Sequence, residues 1–442
     1  MVLVVEGAEL VWTGQQELLG GGLVCEEGIV SRVVGAQTLA NGDWSTLANG
    51  DSGQASEKLD ASGCVVMPGL VNAHHHLLQS AFRTAPHTRH VPMREWLAAM
   101  GELYSQAQVD PSLVAAAAAV AIAEGLLCGV TTVADHHLTW PAGADATEIA
   151  DAAIATASDL GCRFVFVRGC SGGDPDEVAQ SVEDLVSRHA SHPMLQIAVG
   201  PAGVHSDGKE MFDALAEVAA KYNLRRRTQA NEQIDVEIAQ ERYGCRPLEV
   251  LEEWGWLAED VTIAHLCEIT PGEINRLTRS GISATHAPGC DLPMGWGLTE
   301  VGLLLDEGIQ VGLGTSGGGS NDAGHLLADA RLAMQVSGLA SRPLTAREVL
   351  TMATAGSAAG LGRSELGHLE SGAVADFCCY DISDVYDAGV ADPLAGLLWA
   401  NPGRKPRHVV VNGKVAVRDY ELLTADPHRL AQELKTEIQK SN

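Results

Sequence analysis

The residues most able to do chemistry sit where apolar segments end. The run Asn72-Ala73-His74-His75-His76 closes one such segment. In an extended strand, residues two apart point to the same side. His74 and His76 can therefore hold one metal ion while His75 faces away; the alternative is a polar strand end whose histidines cap loops. His265 ends a second apolar segment, VTIAHL, and burying an imidazole there is costly unless something bonds it. Three neutral imidazoles and a water suffice for a catalytic zinc site. One divalent metal is expected, zinc ahead of iron, which would bring a water's pKa toward neutrality for attack on an electrophilic carbon. Glu232 closes a third segment, Thr228-Gln229-Ala230-Asn231-Glu232. Beside such a water its carboxylate can carry the proton to the leaving group; on spacing alone it fits a surface glutamate opening the next helix nearly as well.

These side chains need a scaffold that brings distant strand ends together. Strand-like segments lie at 64–76, 129–137, 163–169, 194–202, 224–232, 261–266, 281–288 and 310–317. Helical patterns separate them, among them PSLVAAAAAVAIAEGLL, GDPDEVAQSVEDLVSRH, KEMFDALAEVAAKY and PGEINRLTRSG. Eight strands alternating with helices predict an α/β fold of parallel units closing into a (β/α)8 TIM barrel. Every notable polar residue falls at the carboxyl end of its strand, where such barrels carry their chemistry. Residues 1–63 and 361–442 hold short strands, including two β-branched runs about an Asn412-Gly413 turn. Neither end can bury a core alone, so the two are expected to pair into a small β-sandwich beside a barrel spanning 64–360.

Bulk composition narrows the function classes. The 442 residues are 46% hydrophobic and 19% charged, as in an ordinary globular protein. Their 29 basic and 57 acidic residues leave a net charge of −28, which argues against nucleic acid as a partner. The 10 cysteines form no CxxC pair and fit buried free thiols in a reducing cytoplasm. The opening MVLVVEGAELVWTG lacks a basic segment before an apolar one, and the run Leu113–Leu127 contains Glu124. Neither a signal peptide nor a membrane span is expected.

Taken in order, MPGLVNAHHHLLQS, GVTTVADHH, THAPGCDLPMGWG, GLGTSGGGSND, GHLESGAVADF and VVVNGKV resemble the cytosine/guanine deaminase–triazine hydrolase branch of the amidohydrolase superfamily. The resemblance runs from about residue 60 to 420, and DLPMGWG and GTSG are most similar to the s-triazine hydrolases. It implies hydrolysis of a C–N or equivalent leaving-group bond on a small nitrogen heterocycle, and a homodimer by analogy. It also implies His74, His76 and His265 as metal ligands, Glu232 as proton shuttle and His286 beside the metal. Two positions depart from the family pattern. Gln229 stands where a ligand histidine precedes the glutamate by three, and Ser316 stands where an aspartate is usual; the triazine hydrolases carry threonine there. An amide oxygen is a weaker zinc ligand than imidazole. With no anionic ligand, however, the ion's full charge would act on its water, and the Ser316 hydroxyl would assist.

The alternative is a metal-free, catalytically disabled relative with a ligand-binding role. Arg227 bears on that choice. It shares the inward face of Gln229, and a buried guanidinium needs a partner, for which Glu232 or Asp135 is available; in another register Arg225 and Arg227 reach solvent at the lower rim. For substrate contacts the candidates are Gln79 to a ring nitrogen and Trp96 stacking on a flat ring, with Asp291, Met294 and Trp296 lining a loop over the site. His136 or His137 could bond a ligand histidine. His87 and His90 sit in a loop and carry no assignment.

Overall fold

The computed structural model describes residues 2–36, 56–141 and 143–440. Most of the polar, glycine-rich stretch at 40–58 therefore lies outside the described residues. The chain begins with β1 (Val2–Trp12), β2 (Glu17–Glu26), β3 (Ile29–Gly35), β4 (Ser56–Asp60) and β5 (Cys64–Pro68). The barrel strands follow: β6 (Leu70–His76), β7 (Val130–His137), β8 (Arg163–Cys170), β9 (Leu195–Pro201) and β10 (Arg225–Ala230). They continue with β11 (Val261–His265), β12 (Ser283–His286), β13 (Gln310–Leu313) and β14 (Ser316–Gly317). The chain then adds β15 (Phe377–Asp381), β16 (His408–Val411), β17 (Lys414–Arg418) and β18 (Glu421–Leu422).

Strands β6 to β13 pair in parallel sequence, and β14 returns to pair with β6, setting Ser316 against His75 and Gly317 against His76. β13 and β14 are two halves of an eighth strand, so the sheet closes into a (β/α)8 barrel. Gly314, between the halves, packs too close to β6 for a side chain: a Cβ there would lie 2.7 Å from the His74 backbone oxygen. Strands such as β6, β7 and β8 are buried along their whole length, as expected where helices cover one face and the barrel interior the other. Helices Pro111–Leu127 and Pro175–His189 start with proline behind a capping aspartate; Asp110 accepts the Leu113 N–H, and Asp174 those of Asp176 and Glu177. Helix Lys209–Tyr222 ends on a left-handed Asn223.

Both chain ends build one further nine-stranded sheet, ordered β18-β17-β16-β15-β5-β1-β2-β3, with β4 also on β1. One cluster joins Val30 of β3 to Leu23, Val66, Phe377 and Val410. The sheet thus folds over its own core, which is how two strand-poor ends bury enough apolar surface. The segment 64–76 does not run as a single barrel strand. Cys64–Pro68 pairs with β1 and β15, and only from Leu70 does the chain enter the barrel. Pro68 has no N–H to continue a ladder, and the Gly69 N–H donates to the Asp376 carbonyl at 2.9 Å. Helix Pro427–Lys440, expected as part of the small domain, packs against the barrel helix Pro111–Leu127. Among the described residues, no helix is long and apolar enough to cross a membrane.

Candidate active site

The first barrel strand behaves as its period of two requires. His75 turns outward, its Nδ1 2.9 Å from the Thr315 hydroxyl, while the His74 and His76 rings lie 4.8 Å apart on the inner side. From β11, His265 brings its ring within 5.1 Å of His74. The three imidazoles expected to hold a metal therefore converge at the open end of the barrel. His265 (φ 72°), Leu266 (φ 59°), Asn231 (φ 54°) and Ser316 (φ 55°) all adopt left-handed backbone there, and such strain tends to gather at functional sites.

Each imidazole is oriented from behind. The His76 Nδ1 lies 2.7 Å from the His136 carbonyl, and the His265 Nδ1 lies 2.8 Å from Asp291 Oδ1. Both contacts leave Nε2 as the ring nitrogen facing forward, the arrangement that metal-ligating histidines share. The His74 Nε2 is buried with no hydrogen-bond partner, and a buried polar atom left so is destabilising unless a ligand completes it. Burial pushes the His74 imidazole well below its usual range and His76 down to about 4, so both are neutral and carry lone pairs. Burial would lower His265 too, but the carboxylates of Glu232 and Asp291 outweigh it and raise the group to about 9. Negative charge around His265 thus demands a cation, which is a proton or a metal ion. These residues fit a divalent metal. His265, Cys267 and Asp291 also present ligand atoms within 4.8 Å of one another; burial raises the Cys267 thiol far above neutrality, and the Asp291 contact occupies His265 Nδ1, so this cluster serves as the backing of His265.

Glu232 follows β10 as the N-cap of helix Gln233–Tyr243. It is buried, and its Oε1 lies 3.9 Å from His265 Nε2. Burial pushes its carboxyl up to about 7, which suits a group that takes and returns a proton near neutrality. The cavity in front has a volume of about 350 Å³, and its walls include His76, His265, Gln229, Glu232, Ser316 and Gln79. Trp96 and Trp296 also line it, their rings edge to face at 5.2 Å and their indole N–H groups bonded to the Gly319 and Val91 carbonyls. The Gln79 Oε1 accepts the Gly319 N–H at 3.1 Å.

Other expected positions fall elsewhere. Met294 lines a neighbouring surface depression, although Trp296 borders both. Asp291 is fully buried behind His265 instead of forming the cavity wall, because its carboxylate is drawn to the imidazole. His286 is buried and neutral, its pKa pushed down to about 4 by burial, and it does not reach the wall. Of the β7 pair it is His136 that meets His76, through its carbonyl; the His137 Nε2 bonds the Thr139 carbonyl. Arg227 is buried, but neither Glu232 nor Asp135 pairs with it: its Nη2 donates to the Ala73 carbonyl and its Nη1 has no partner. Burial without a carboxylate lowers it to about 9. Its guanidinium ends against the β6 backbone and is absent from the cavity wall. Arg225, by contrast, caps the Glu259 and Gly360 carbonyls.

Among the residues that escaped the sequence reading, two form a pair at the cavity. His205, in the loop after β9, lines the cavity, and its Nδ1 lies 2.6 Å from the buried Asp235. Asp235 stands three residues after Glu232, one helical turn, and that spacing was the available signal.

The sequence and the fold have known relatives. The pattern of the family described as "Amidohydrolase family" matches residues 65–416. The 8-oxoguanine deaminase of Pseudomonas aeruginosa is 31% identical over 90% of each chain. The 5-methylthioadenosine/S-adenosylhomocysteine deaminase of Halobacterium salinarum is 32% identical over 86% of this chain and 88% of its own. The crystal structure of atrazine chlorohydrolase TrzN from Arthrobacter aurescens TC1 complexed with zinc superposes with a TM-score of 0.91 at 33% identity, covering 99% of this chain and all of that one. The chain belongs to the Amidohydrolase family and is a hydrolase.

Proposed function

We propose that the protein is a metal-dependent amidohydrolase that adds water to an electrophilic carbon of a nitrogen heteroaromatic ring and expels an amino group or an equivalent leaving group. The observation that carries this reading is the convergence of the His74, His76 and His265 rings with Glu232, beside a cavity that His76, His265 and Glu232 line, the His74 Nε2 lacking any hydrogen-bond partner. One divalent ion, zinc ahead of iron, would be held by these imidazoles with Gln229 as a fourth neighbour, and would supply Lewis acidity toward water and the ring. Glu232 takes the proton from the attacking water and delivers it to the departing nitrogen or other group, a transfer its raised pKa favours in both directions. The Ser316 hydroxyl, on the cavity wall, bonds the incoming water, and the neutral His286 imidazole is the buried neighbour expected beside the metal. Gln79 offers its amide N–H to a ring nitrogen, and Trp96 and Trp296 give the cavity an aromatic wall for a flat ring. Deaminated and dehalogenated rings share this step, and the leaving group alone differs. The zinc-bound chlorohydrolase and the deaminases among the relatives support both kinds.

The companion reading is a metal-free binder of the same rings, suggested by Gln229 on the cavity wall where a ligand histidine is expected. A panel of aminated and chlorinated pyrimidines, purines, pterins and triazines, with ammonia and chloride release both followed, separates the two. Turnover that a chelator abolishes and zinc restores supports the hydrolase; ring binding without turnover, unaffected by chelator, supports the binder. A cytoplasmic homodimer that does not bind nucleic acid completes the proposal, with light scattering as the check on its mass.

A further inference from the structure

The cavity wall carries a second histidine–carboxylate pair that the reaction above does not use. The Asp235 carboxylate is fully buried, and its Oδ1 accepts both the His205 backbone N–H at 3.3 Å and the ring Nδ1 at 2.6 Å. Gly203 makes this clasp possible: a Cβ there would stand 2.7 Å from both Asp235 Oδ1 and His205 Nδ1. Asp235 sits in the first turn of helix Gln233–Tyr243, where the helix's positive end favours a carboxylate. The residue is thus held by its backbone N–H and by one ring nitrogen, and only Nε2 is left, on a side chain 11% exposed to the cavity. Among the described residues, no hydrogen bond engages that nitrogen. Burying a carboxylate whose Oδ2 also lacks a partner is an expensive way to fill space, and an apolar residue would pack there at less cost.

Charge decides what the free nitrogen offers. Burial would lower the His205 pKa, but Asp235, Glu232 and Asp207 together raise it, which favours the imidazolium and makes Nε2 a donor. Building on the function proposed above, we infer that His205, fixed by Asp235, is a specificity residue whose Nε2–H binds an acceptor on the substrate, a ring carbonyl oxygen or an anionic ring nitrogen. The preferred substrates are then oxo-substituted heterocycles, bound at the carbonyl by a charge-assisted hydrogen bond.

The test compares matched pairs that share an amino leaving group and differ by one carbonyl: cytosine with 4-aminopyrimidine, and 2-oxoadenine with adenine. The wild-type enzyme should favour the oxo member by about tenfold or more in kcat/KM. His205→Asn and Asp235→Asn should each shrink that ratio, mostly through KM, with zinc content and Tm retained. An unchanged ratio in both variants would overturn the inference, as would a wild-type preference for the member lacking the carbonyl. Calorimetry with hypoxanthine and cyanuric acid, which carry no leaving group, keeps the two proposals apart. Binding that needs His205 in a chain that turns over nothing would sink the hydrolase reading and leave this one standing. Turnover with no selectivity traceable to His205 would do the reverse.

Discussion

Two buried regions of this molecule treat charge in opposite ways. Where the small sheet meets the barrel, Arg163 at the start of β8 donates from Nε and Nη2 to Asp376 at 3.0 and 3.1 Å, and Asp376 Oδ1 also accepts the Asn412 N–H at 2.7 Å. At the barrel mouth, His74 Nε2, His286 Nδ1 and Asp291 Oδ2 are as deeply buried, yet have no hydrogen-bond partner in the protein. Both regions sustain the desolvation of ionic groups. One recovers it within the fold, and the other leaves it to be recovered by a ligand. The Arg163–Asp376 pair is completed by protein groups, whereas imidazole nitrogens at the mouth are left for a ligand.

Changing one residue at a time sharpens that contrast. The largest effect is expected from Glu232→Gln, which should lower kcat by about 10²- to 10⁴-fold, the usual worth of a general acid–base group, while metal content and Tm hold. In the scaffold region, Asp376→Ala should cost about 3–5 kcal/mol of stability by stranding Arg163. Denaturant unfolding would show it, and a change near zero would erase the distinction between the regions. Asp291→Ala frees the His265 ring and should weaken zinc affinity by about 10- to 100-fold, as loss of an orienting partner generally does; competition with a chromogenic chelator measures it.

A further effect concerns pH. Burial raises the Asp329 carboxyl to about 7, despite hydrogen bonds from Gly289 and Asn321. The folded chain keeps a proton there that the unfolded chain loses above about pH 4. The stabilisation from this group is therefore complete below about pH 4 and lost as pH rises through 7. Asp329→Asn should flatten the stability–pH curve in that window, and a curve that keeps its slope would contradict the assignment.

Much of the site was legible because it follows strand periodicity. His74, His76 and His265 lie inward at strand ends, and a chain of alternating units puts those ends on one rim. What depended on contacts between distant units was not legible. The division of 64–76 at Gly69 is set by strands from the far end of the chain. Asp291 is a loop residue by spacing, and only the fold shows that its carboxylate reaches back to His265. Arg227 was rightly placed inside, but its partner is a backbone carbonyl, a group that no side-chain pattern announces. His205 and Asp235 come from successive β/α units, and neither neighbourhood reveals the pair.

The central claim is that three imidazoles from β6 and β11 hold one catalytic cation. Metal analysis of the purified wild-type chain beside His74→Ala, His76→Ala and His265→Ala tests it most directly. About one equivalent of zinc or iron in the wild type, falling severalfold in each variant, is the predicted result; a wild-type chain that takes up no metal when zinc is supplied would contradict it.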